Sequence, residues 1–237
     1  MPILHSARWL GLALAALAAG CGSDDPFDPD TEGKLRITNA SLAAGGDADF
    51  VLDGSGVTRL AYLRTSGYLT MDAGAHDIAM RDLPDENGVP GPTFISAPIT
   101  VTAGRFQTVV ITGSGTEITA LTTIDEAAPG GGNWSLRIIH AGQAAPSLDL
   151  YVTTPDADLN AATPLVTGID WKEVTAYQEI GIGRFQIRLT PTGTKTALIS
   201  SAALTFAEGQ VASLIVFDNT NPSGAPFGVI LPDGDLE

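Results

Sequence analysis

The sequence predicts an all-β protein: two tandem Ig-like antiparallel β-sandwich domains behind a signal peptide and an acidic tether. Three observations predict it. Apolar residues alternate with polar ones at period two, as in Leu35 and Ile37, Phe50 and Leu52, Leu148, Leu150 and Val152, and Ile187 and Leu189. Turn-forming residues recur between these runs, at Gly45-Gly46, Asp53-Gly54, Asp72-Ala73-Gly74, Gly113-Ser114-Gly115 and Pro191-Thr192-Gly193. The chain also repeats itself once, at a spacing of 101 to 109 residues. The stretch from Ala161 to Ala176 has some helical character, which Pro164 and Gly168 interrupt.

Composition sets the outer limits. Of 237 residues, 44% are hydrophobic and 16% charged, enough apolar material for packed cores and too much for a disordered chain. One Cys excludes an intrachain disulfide framework and a Cys-based zinc cluster. Twelve Lys and Arg stand against 27 Asp and Glu, a net charge of -15. Phosphate backbones are gripped mainly by Lys and Arg, so no nucleic-acid partner is expected.

Residues 1–20 read as a signal peptide. Arg8 supplies a positive n-region, and Trp9 to Ala19 is apolar apart from Gly11. That run is shorter than the ~20 residues a membrane span needs and fits an h-region. Leu17-Ala18-Ala19-Gly20-Cys21 resembles a bacterial lipobox, in which small residues admit the peptidase and the Cys thiol takes the lipid. Cys21 is therefore the expected lipidation site, and its acyl chains are the expected contact with a membrane. No Asp follows Cys21, which points to the outer membrane if the host is Gram-negative. Removing the leader with Arg8 leaves 11 basic residues against 27 acidic ones, an excess of 16 negative charges. Residues 21–33 form the expected tether. Asp24 to Gly33 holds five acids and two prolines, the composition of a solvated spacer.

The first repeat, expected over 34–126, opens Leu35-Arg36-Ile37-Thr38-Asn39-Ala40. The second, over 134–237, opens Leu136-Arg137-Ile138-Ile139-His140-Ala141. Each continues through an acidic-aromatic strand, Asp49-Phe50-Val51 or Asp149-Leu150-Tyr151-Val152, to Tyr68 or Tyr177 and then Gly74 or Gly183. Val109-Val110-Ile111 answers Leu214-Ile215-Val216. The Gly-rich segment 127–133 has linker composition and separates them. No Cys-Trp-Cys hallmark is present, so "Ig-like" describes architecture alone.

The run from Leu136 to Ala141, followed by Ala145-Pro146-Ser147-Leu148-Asp149-Leu150-Tyr151-Val152, resembles the opening of the bacterial "domain of unknown function 4397" family. Tyr177, the Gly183 turn and Thr190-Pro191-Thr192-Gly193 extend the likeness. The second repeat fits better than the first, where Asn39 replaces the His. The resemblance implies an extracytoplasmic β protein with tandem domains, and implies no activity or catalytic residue.

No constellation of catalytic residues emerges. Gly113-Ser114-Gly115 reads as a hairpin turn rather than a nucleophile elbow, and Gly181-Ile182-Gly183 lacks a third glycine and a βαβ setting. Asp156-Ala157-Asp158-Leu159-Asn160 reads as a turn, lacking the glycine and terminal Glu of a calcium loop. His140 is expected to bond a nearby turn, and His76 to project from the strand after Gly74. Asp49 and Asp149 are expected to pair with Arg36 and Arg137 on neighbouring strands. Trp134 and Trp171 are expected to cover the ends of the second core.

These readings predict no enzyme, no catalytic residue, no metal and no cofactor. The expected function is that of a lipid-anchored cell-envelope protein in a structural, adhesive or protein-binding role. The alternative is a solute- or glycan-binding lipoprotein acting beside an envelope enzyme or transporter. Its ligand-binding residues would be Trp171, Tyr177 and Tyr151, lining a deep cleft. A third class, a hydrolase, requires His140, Asp149 and His76 to converge. An envelope protein or a glycan is the partner class expected.

Overall fold

The computed structural model describes residues 27–221 and 223–234. Cys21, the expected signal peptide and the first residues of the expected tether lie outside them. Among the described residues every regular element is a strand, and the strands form four sheets.

The first half supplies β1 (Glu32–Ser41), β2 (Ala48–Leu52), β3 (Ser55–Leu60), β4 (Leu69–Asp72), β5 (Gly74–Arg81), β6 (Thr93–Val101), β7 (Phe106–Gly113) and β8 (Thr119–Ile124). They are ordered β4-β1-β7-β8 in one sheet and β3-β2-β5-β6 in the other. The second half supplies β9 (Asn133–His140), β10 (Leu148–Thr153), β11 (Val166–Ile169), β12 (Gln178–Gly181), β13 (Gly183–Pro191), β14 (Ile199–Ser200), β15 (Leu204–Phe206), β16 (Val211–Phe217) and β17 (Phe227–Pro232). Their orders are β12-β9-β16-β17 and β11-β10-β13-β14, with β15 also on β13. The strand orders of the two halves match, except that β14 and β15 stand where the first half has the continuous edge strand β6.

Local sequence explains the turns. Asp53 and Gly54 link β2 to β3 with φ of 49° and 82°, the two positive angles of a tight two-residue hairpin. Gly113 closes β7 at φ 91°, where any Cβ would collide with the Glu117 carbonyl oxygen. The Ala161–Ala176 stretch is not helical; Gly168 sits at φ 70° inside β11. The bounds expected for a tether, 21–33, overlap the first strand. Glu32 and Gly33 already belong to β1. Asp28 caps the preceding turn, its carbonyl accepting from Glu32 N at 2.8 Å.

One feature of the sheets departs from the antiparallel expectation. β1 pairs with β7 in parallel, from Lys34 opposite Phe106 to Ser41 opposite Gly113, and β9 pairs with β16 in the same way. The other strand pairs are antiparallel.

Each half has its own core. Leu35, Ile37, Phe50, Ile78, Met80 and Val109 fill the first. Leu136, Ile138, Leu150, Ile187, Leu189 and Leu214 fill the second, where Trp134 is fully buried and stacks on Phe206 at 3.6 Å. A third cluster joins the halves: Ala40, Val110, Ile139, Ala141, Ile215 and Phe217. Sheets β4-β1-β7-β8 and β12-β9-β16-β17 therefore pack face to face, making four layers. Their central strands are covered on both sides, so β1 and β9 are buried nearly end to end rather than alternately.

Candidate functional site: a charged seam between the halves

The residues between Leu35 and Ile37, and between Leu136 and Ile138, must point away from their own core because side chains alternate along a strand. Those residues are Arg36 and Arg137. Each lands in the contact between the halves, with side chains 6% and 2% exposed. Two carboxylates meet them there, Asp125 just past β8 and Asp233 just past β17, both side chains fully buried.

The pairing crosses over. Arg36 Nη2 bonds Asp233 of the other half, and Arg137 Nη2 bonds Asp125. Arg36 Nη1 donates to the Pro232 carbonyl at 2.6 Å, and Arg137 Nη1 to the Ile124 carbonyl at 2.6 Å. Arg36 Nε donates to Thr108 Oγ1 at 2.7 Å, and Arg137 Nε to Ser213 Oγ at 2.6 Å. Those hydroxyls donate onward within their own half, Thr108 to Asp125 at 2.5 Å and Ser213 to Asp233 at 2.6 Å. Tyr68 and Tyr177 complete the set, donating to Asp125 at 2.7 Å and Asp233 at 2.6 Å. Their rings lie against the guanidinium groups, 4.9 Å from Arg36 and 4.6 Å from Arg137. Burial pushes both phenols well above the ordinary tyrosine value, so they remain donors.

Two cations and two anions thus balance in a buried site, with guanidinium, hydroxyl and phenol donors meeting the carboxylate oxygens. A buried charge without such partners is strongly unfavourable, so the four groups constrain one another. Asp125, Asp233, Thr108 and Ser213 were not singled out by motif. The repeat register carries them all the same: Asp125 and Asp233 stand 108 residues apart, close to the 109 of Tyr68 and Tyr177.

The expected pairing of Arg36 and Arg137 with Asp49 and Asp149 is corrected. Asp49 and Asp149 lie in the outer sheets, whereas the arginines project from the inner sheets toward the seam. Asp49 accepts from Arg59 Nε at 2.9 Å instead. Asp149 holds β11 and the turn after β13, accepting from Gly168 N at 2.9 Å and Gly193 N at 2.8 Å.

Trp171, Tyr177 and Tyr151 are not brought together. Tyr177 belongs to the seam. Trp171 does not cap the second core; it reaches the first half, donating to Thr112 Oγ1 at 3.3 Å with Lys172 Nζ 4.0 Å from its ring. Tyr62 answers it from the other side, donating to the Asp218 carbonyl at 2.8 Å and meeting Phe217 edge-on. Tyr151 is buried on β10, where Lys195 Nζ lies 4.8 Å from its ring. A cleft of about 450 Å³ opens elsewhere, among Ala144, Pro146, Pro191, Leu198, Asp218 and Asn219.

The hydrolase set is scattered too. His140 is fully buried and donates from Nε2 to the Pro146 carbonyl at 3.0 Å, its Nδ1 unpartnered; burial pushes its pKa down. His76 lies on β5, 2.6 Å from Asp53 and 2.8 Å from the Asp72 carbonyl. The Asp53 hydrogen bond raises its pKa. The 156–160 segment is a turn in which Asp158 accepts from Asn160 N at 2.9 Å. Among the described residues, no group of three or more His, Cys, Asp or Glu side chains is placed to hold a metal ion.

Fold and seam together define an all-β protein of paired sandwiches that share one buried interface. The chain belongs to the family described as Domain of unknown function (DUF4397), whose pattern matches residues 29–151. The match spans the whole first half and runs into β10, whereas the resemblance read from the sequence was stronger in the second half. No curated protein matches the chain.

Proposed function

We propose that this is a lipid-anchored, non-enzymatic cell-envelope protein, whose tandem sandwiches act as one rigid structural or protein-binding module. The seam is the observation that carries the reading. A chain that merely strings two domains together has no need to bury four charges between them. A chain that must present its far surface at a fixed distance and angle from a membrane gains from that constraint, because crossed ion pairs tolerate little rotation. The lipobox-like run ending at Cys21 supplies the attachment, and the acidic residues before β1 supply a short spacer.

The anchoring is tested by fractionation. The unaltered chain is expected in the membrane fraction and in a detergent phase, and Cys21→Ala in the aqueous phase. A Cys21→Ala chain that stays with the membrane would overturn it. The rigid-module reading is tested by scattering in solution: one compact particle is expected, and a population of separated domains would count against it.

A further inference from the structure

The seam is complementary to itself. Each half carries an arginine, a tyrosine, a hydroxyl and an aspartate, and the arginine of each reaches across to the aspartate of the other. The apolar part obeys the same rule, with Ala40 answering Ala141 and Val110 answering Ile215. Even an unusual backbone angle repeats, Leu63 at φ 69° and Lys172 at φ 73°, each amide donating to the equivalent β1 or β9 carbonyl, of Asn39 or His140. Such an arrangement is that of a two-fold symmetric dimer, with the two subunits in one chain.

We propose that a second copy of this chain can take the place of a chain's own second half. Two chains open at the connection between Asp125 and Asn133 and pair crosswise, giving a closed dimer with domains exchanged. Arg36 of one copy then meets Asp233 of the other, and Arg137 meets Asp125, so each seam is rebuilt with unchanged contacts. Glu126 stays bound to the first half, accepting from Phe106 N at 3.1 Å, and Gly132 to the second, accepting from Ile182 N at 2.9 Å, so only the segment between them has to open. Its Gly130 is held by one 3.0 Å bond to Asn133 N and a 3.4 Å contact with Glu179. What favours the closed monomer is the high effective concentration that a short connection provides. Crowding of anchored chains, or a connection too short to fold back, shifts the balance.

The test coexpresses two copies of the full chain with different C-terminal tags, extracts them in detergent and passes them through both affinity steps. A species carrying both tags is expected. If tagged copies assort at random, half of the dimers carry both. Deleting Ala128–Gly131 is expected to raise the doubly tagged fraction several-fold, and adding Asp233→Asn to lower it. Copies expressed separately and mixed after extraction should give none, because exchange requires the seam to open. Absence of a doubly tagged species overturns the proposal. So does a doubly tagged species that forms after mixing, or, in the shortened chain, whose open monomer has no seam, one that is indifferent to Asp233→Asn, since either would locate the contact elsewhere. Should the shortened chain fail to fold, the unshortened copies decide the matter alone.

Discussion

Asp125 and Asp233 lie outside every strand, yet they determine what the two most deeply buried arginines can do. Removing one leaves an arginine buried without its closest counter-charge, an effect of about 3–5 kcal/mol. Asp125→Ala and Asp233→Ala are each expected to lose stability on that scale in urea unfolding. Asp49→Ala, which breaks the largely exposed pair with Arg59, is expected to change it by less than about 1 kcal/mol. The two described histidines should give opposite pH dependence. Burial depresses His140, so its neutral form is favoured on folding and stability falls as pH drops below the ordinary value of about 6.5. His76 is raised by Asp53, so its contribution is present below that value and is lost as pH rises through the elevated pKa. Unfolding measured across pH should show the acid limb flattened by His140→Asn and the other limb flattened by His76→Asn. The turn role of His140 was legible from the nearby Ala145-Pro146. The partner of Arg36 was not, because the sequence distance to Asp233 is nearly two hundred residues.

At the scale of single elements, period-two patterning located β1, β2, β10 and β13 because one of their faces always meets a core. It did not disclose that β1 and β9 have two covered faces. Arg36 and Thr38 look like solvent positions, and only the apposed sheet makes them interior. The same blindness hid the parallel pairing of β1 with β7, since alternation is indifferent to strand direction. Turns were more legible, because glycine at a left-handed angle has a local cause. Gly113→Ala and Gly54→Ala both place a side chain at positive φ, an effect of about 1–2 kcal/mol. Gly113→Ala should be the more damaging, because its Cβ also meets Glu117, whereas the space around Gly54 is open. Thermal unfolding of the two variants side by side would show the order.

For the whole molecule, two cores bridged by a third cluster predict coupled unfolding. A single calorimetric transition is expected for the unaltered chain, with van't Hoff and calorimetric enthalpies in agreement. Asp233→Ala should split it into two, because the halves then retain separate cores but lose the contact that links them. One transition in both proteins would mean that the apolar part of the seam suffices. The spacing of 101 to 109 residues suggested two like halves in the sequence, with the Gly-rich segment 127–133 as their expected border. It gave no hint that the halves touch, since a linker composition suits tethered and packed domains alike.

The crossed seam also fixes a parity. Each sandwich has one sheet that finishes the partner and one that faces outward, so pairing consumes the only surface carrying the arginine, tyrosine and aspartate. A third such sandwich added to the chain would find no face open to it, unlike a solenoid repeat, which always leaves a fresh end. The architecture saturates at two, and longer chains built on this plan should grow by pairs.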